Sequence, residues 1–105
     1  MKFGLTETTI ENINAVFARF PQVDKAVLYG SRAKGSYKNG SDVDLTLHGK
    51  DLTLSVIYRI DQAIDDLLLP YTLDLSIFQR LTDPDLIDHV QRVGVVFYQK
   101  ESQVA

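Results

Sequence analysis

Two short segments of this chain alternate apolar and polar residues with a period of two. One is Asp42-Val43-Asp44-Leu45-Thr46-Leu47, the other Leu73-Asp74-Leu75-Ser76-Ile77-Phe78. A period of two is the pattern of a strand with two unlike faces. In the first segment Val43, Leu45 and Leu47 go to one face, and Asp42, Asp44 and Thr46 to the other. In the second, Leu73, Leu75 and Ile77 stand opposite Asp74, Ser76 and Phe78. The chain therefore builds a sheet that buries one face of these strands and presents aspartates on the other.

Helical spacing fills the intervals. Ile10, Ile13, Phe17 and Phe20 predict a helix over 8–20, with Thr8 and Glu11 as a capping box and Pro21 as its stop. Lys25 to Tyr29 is an apolar run that reads as a buried strand, and a Gly/Ser/Lys-rich segment with an initial helical turn follows from Gly30 to Ser41. Val56, Ile60, Ala63, Ile64 and Leu67 predict a helix over 52–69, with Asp61, Asp65 and Asp66 on its wet side and Pro70 after it. Asp83 as cap and Pro84 at the first helical position open a last helix that ends at Gly94. Val95 to Tyr98 is a final strand, and the polar tail 99–105 is expected to fray. The order α-β-(short α)-β-α-β-α-β implies an α+β fold with α/β-like alternation: a small mixed sheet with helices packed on it, in one domain over residues 1–105.

Composition narrows the function. With no cysteine, thiolate metal sites, disulfides and cysteine nucleophiles are excluded. A net charge of −3 gives no general electrostatic grip on nucleic acid or anionic lipid. The apolar runs fall far short of the roughly 20 residues a membrane helix needs, and residues 1–9 lack the apolar stretch of a signal peptide. A cytoplasmic location is the expectation.

Asp42 and Asp44 are two apart on one strand, so their backbone positions are about 6.6–7 Å apart on one face. Asp74 occupies the polar face of the next strand. If the strands are neighbours, three mutually repelling carboxylates share a patch that a divalent cation would neutralise. An all-oxygen donor set suits Mg2+ or Mn2+ better than zinc. Gly30 and Ser31 lie where a strand gives way to a helical turn, a place that suits phosphate. Arg32, Lys34 and Lys38 reverse the local charge, and Arg32 is the best placed of them to reach a phosphate. Gly30 and Gly35 have P-loop spacing, but Ser36 stands where that motif needs lysine, and Arg32 stands where a dinucleotide fingerprint needs its second glycine. His48 and His89 are 41 residues apart with no cysteine near, and neither is assigned metal or acid–base work. Tyr29 and Tyr37 flank the turn, within reach of a base, although core packing is the expectation for Tyr29.

The stretch GSRAKGSYKNGSDVDL, Gly30 to Leu45, resembles the signature of the DNA polymerase β-like nucleotidyltransferase superfamily: Gly-Ser, about ten residues, then Asp-x-Asp. Ten residues, Arg32 to Ser41, separate Ser31 from Asp42, and the family's third acid falls on Asp74. The chain is most similar to the minimal nucleotidyltransferases, which include antitoxin partners of HEPN-type helical proteins. The resemblance covers roughly residues 8–98 and implies the nucleotidyltransferase fold. It implies two Mg2+ ions held by Asp42, Asp44 and Asp74, with β- and γ-phosphates held by Gly30, Ser31 and Arg32. The implied reaction moves a nucleoside monophosphate, AMP from ATP, to a hydroxyl and releases pyrophosphate. The implied acceptor is a hydroxyl on a cognate HEPN-type protein, or a small molecule. So small a sheet offers little wall for base or acceptor, so a helical partner or a second copy is expected to complete the site. The alternative is a non-catalytic subunit that binds nucleotide or neutralises its partner by occupying its surface.

Overall fold

The computed structural model describes residues 2–38 and 40–101. Helix α1 covers Glu7–Ala18, strand β1 Lys25–Tyr29, the one-turn helix α2 Ser31–Lys34 and strand β2 Val43–His48. Helix α3 covers Leu54–Asp65, strand β3 Leu73–Ile77, helix α4 Pro84–Val93 and strand β4 Val95–Gln99, with a 3-10 turn at Phe78–Arg80. The four strands form one sheet in the order β3-β2-β1-β4. β1 pairs antiparallel with β2 and with β4, and β2 pairs parallel with β3, so the sheet is mixed. A parallel pair needs a crossover, and α3 provides it.

Alternation along the strands decides where the core lies. Ala26, Leu28, Val43, Leu45, Leu47 and Ile77 bury themselves against Ile13, Val16 and Phe17 of α1 and Val56, Ile60 and Ile64 of α3. On the reverse face Val27 and Tyr29 of β1 pack against Val90 and Leu86 of α4, with Phe78 beside them. The acids of β2 and β3 belong to this second face, on which α4 packs over β1.

Several boundaries differ from the sequence expectation, each for a local reason. Thr6, not Thr8, caps α1: its hydroxyl accepts the Thr9 N–H at 3.1 Å. Thr53 caps α3 by accepting the Val56 N–H at 3.2 Å, which delays the start to Leu54. Its end comes at Asp65, and Leu68 then turns the chain with φ 55°. β2 runs one residue later than expected, with unchanged facing. β3 stops at Ile77 because Phe78 opens the 3-10 turn. The expected fraying does not begin at Gln99, which pairs with Lys25, and the Lys100 N–H donates to the Asp24 carbonyl at 2.8 Å. Residues 102–105 of that expected tail lie outside the described residues. Among the described residues no helix is long and apolar enough to cross a membrane.

His48 ends β2 with its ring stacked on Phe78, centroids 4.4 Å apart. Burial, and then the Lys25 charge, holds its pKa below the ordinary 6.5. The folded chain therefore takes up this proton less readily than the unfolded chain. Stability falls as pH drops below about 6.5 and levels off once pH is below the folded value. Urea midpoints at pH 7.5 and 5.5 should show a smaller loss in His48→Gln than in the parent.

Candidate active site

Backbone register builds the site. Asp44 of β2 pairs with Asp74 of β3 on one side and with Tyr29 of β1 on the other. These three residues form one row across the sheet, with neighbouring strands about 4.8 Å apart. Asp42 stands one residue before β2, on the same face as Asp44, and the Val43 N–H between them is tied to the Thr72 carbonyl at 2.9 Å. Asp42 and Asp74 are exposed and Asp44 is half-buried. Burial, and then the charges of Asp74 and Asp42, push the Asp44 carboxyl above its usual range. The Tyr29 phenol is raised as well, first by burial, with Asp44 and Asp74 adding to it. One row further along β2, the fully buried Thr46 hydroxyl has no hydrogen-bond partner.

The turn beside this row has a conformation only glycine takes readily. Gly30 has φ 77° and ψ −156° and serves as the N-cap of α2, without a side-chain cap. A Cβ there would run into the Asp44 carboxylate, so the turn and the acid are in van der Waals contact. Ser31 is therefore the first helical residue and not the cap. Its hydroxyl caps no helix end, and its N–H has no intrahelical partner by position.

Arg32 faces the other way from the sequence expectation. It is 2% exposed, and its guanidinium donates from Nε and one terminal nitrogen to the Ser41 carbonyl (3.1 and 2.8 Å) and from the other to the Phe3 carbonyl (2.8 Å). The rings of Tyr37 and Tyr71 lie 5.2 and 5.0 Å from it. A planar fork that ties two segments together and stacks on aromatic rings is a role only arginine fills. Arg32 thus staples the amino-terminal turn to the residue before Asp42 and does not present itself to the Gly30–Ser31 turn. Arg32→Lys should lose about 2–4 kcal/mol of stability, read as a urea midpoint, because one ammonium cannot serve both carbonyls. Lys34 and Lys38 are exposed on the same loop.

The family model for the polymerase β nucleotidyltransferase domain matches residues 11–103. The chain belongs to the polymerase β nucleotidyltransferase family. No curated protein matches it in sequence. Among solved structures, this nucleotidyltransferase domain is similar to one described as a minimal nucleotidyltransferase, at 26% identity and TM-score 0.67 over 90% of this chain and 95% of that one. It is also similar to a chain of a toxin–antitoxin complex solved with AMP-PNP (20% identity, TM-score 0.68, 92% of this chain, 76% of that one). A third is a chain of the complex between tri-AMPylated Shewanella oneidensis HEPN toxin and its MNT antitoxin (16% identity, TM-score 0.65, 91% and 74%). These likenesses bear out the fold of a small mixed sheet with helices packed on it.

The donor set suits a hard divalent cation. Asp42, Asp44 and Asp74 supply only carboxylate oxygens, and among the described residues the one ion pair is Arg92 with Asp88, away from them. Among the described residues no three acids or histidines already close on a common point. The acids are neighbours on an open face rather than a finished cage. His89 is the residue the sequence reading passed over: its Nε2 accepts the Gly30 N–H at 3.2 Å. The two lie 59 positions apart in the sequence, and only the packing of α4 brings them together.

Proposed function

We propose that this domain transfers a nucleoside monophosphate, AMP from ATP, to a hydroxyl on a HEPN-type helical partner, in the cytoplasm. The observation that carries the reading is the row of Asp44 and Asp74, with Asp42 beside it, in contact with the Gly30–Ser31 turn. Asp42, Asp44 and Asp74 would hold Mg2+. When bound, the metal lowers the pKa of the attacking hydroxyl and neutralises charge on the leaving pyrophosphate. The Ser31 N–H and hydroxyl bind the β- and γ-phosphates, and the close approach at Gly30 sets those phosphates beside Asp44. Asp74, exposed at the edge of the row, takes the acceptor's proton. The acceptor oxygen then bonds to the α-phosphorus, the bond from that phosphorus to the bridging oxygen breaks, and pyrophosphate leaves. The chain's own residues act chiefly by positioning the reactants. The likeness to chains of toxin–antitoxin complexes supports a partner that completes the open face.

The test is incubation with Mg2+, a cognate HEPN-type protein and ATP labelled at either the α- or the γ-phosphate. Covalent label on the partner from α-labelled ATP alone is the expected result. A second reading, a non-catalytic subunit that binds nucleotide or occupies its partner's surface, is favoured by the open spacing of the acids. Tight complex formation with no label transferred, and no dependence on Asp42 or Asp44, would establish it instead.

A further inference from the structure

Helix α4 lies over β1 and carries a side chain to the turn that the proposed reaction needs. His89 Nε2 accepts the Gly30 N–H, so Nε2 is unprotonated and the ring hydrogen sits on Nδ1. The ring stands edge-on to Tyr29, with centroids 6.2 Å apart and planes at 81°. Val90, the next residue, is buried against Val27 and Tyr29, which fixes the backbone of α4 beside the turn.

The turn needs such a hold. Gly30 occupies a region of φ and ψ where the chain gains nothing from a side chain, and its carbonyl is fixed by the Lys34 N–H at 3.1 Å. Its N–H is the other end of the same residue. With both ends held, the direction of the following Ser31 N–H is set relative to Asp44. With the N–H unpaired, that end of Gly30 loses one restraint, and glycine resists rotation least of all residues.

We infer that His89 is a positioning residue for nucleotide binding. Its Nε2 takes the Gly30 N–H out of the donor set and aims the Ser31 N–H and hydroxyl at the phosphates. The inference rests on the function proposed above, and its experiment separates the two. His89→Phe keeps a ring against Tyr29 and removes the acceptor, whereas His89→Gln offers Oε1 as a replacement acceptor.

Steady-state kinetics with Mg–ATP should show KM raised about tenfold in H89F with kcat within about threefold of the parent (tenfold being about 1.4 kcal/mol). H89Q should recover KM to within about threefold. The Gly30 amide resonance, which can be read without nucleotide, should move in H89F and return towards its place in H89Q. A parent KM in H89F, a KM in H89Q as high as in H89F at an unchanged melting temperature, or an unmoved Gly30 resonance overturns the inference while leaving the proposed function standing. A parent chain that neither binds nor turns over Mg–ATP overturns the proposed function and this inference together.

Discussion

Asp44→Asn should abolish nucleotide transfer, by on the order of a thousandfold or more, and leave the chain folded and slightly harder to melt. The loss corresponds to about 4 kcal/mol of transition-state stabilisation. It is expected because Asp44 is the central acid, with Asp74 beside it in register and Asp42 two residues before it. The gain in stability has a separate cause. Burial, then Asp74, then Asp42, raises the Asp44 pKa in the fold. A carboxyl whose folded pKa lies above its unfolded value contributes its stability in full below the unfolded value and loses it as pH rises through the folded one. At neutral pH the parent therefore carries a charge that its surroundings disfavour, and asparagine removes it. A melting temperature higher by about one or two degrees at pH 7 is expected, with the gap closing towards acid. Added Mg2+ should raise the melting temperature of the parent and not that of the variant. Retained transfer in D44N would refute the site, and a lowered melting temperature at pH 7 would refute the electrostatic account.

Gly30→Ala is the second large effect, and two causes act together in it. The new Cβ would collide with the Asp44 carboxylate, and φ 77° with ψ −156° is a conformation that an alanine adopts only under strain. Together they should cost about 2–4 kcal/mol, measured by urea unfolding, and transfer should fall to background. A double-mutant cycle separates the causes. In an Asp44→Ala background the collision is relieved and only the backbone strain remains, so Gly30→Ala should cost less there. An equal cost in both backgrounds would mean that the turn and the acid are not in contact.

What the sequence disclosed, and what it withheld, divides along the range of the physics. Alternation is local, so it fixed the facing of Val43, Leu45 and Leu47 against Asp42 and Asp44, and β2 kept that facing even though it runs one residue later. The Gly30-Ser31 turn was legible because a strand followed by a helical turn leaves few residues able to make it. Strand order was not legible: the pairing of β2 with β3 depends on how α3 packs, and Asp74 reaches Asp44 only through that pairing. Arg32 misled because a cation near a phosphate-binding turn and a cation buried as a staple look alike in sequence; the Phe3 and Ser41 carbonyls decide between them. His89 was passed over for the same reason. Nothing within several residues of it signals a bond to a backbone amide on another element.

The Arg32 staple has a practical side. The Phe3 carbonyl and the Ser41 carbonyl, next to Asp42, share one guanidinium. An affinity tag or a trimmed leader at the amino end thus sits one handshake away from the acids. Recombinant material should carry its handle at the other end, and a preparation that is sluggish after amino-terminal tagging should be re-made before its chemistry is judged.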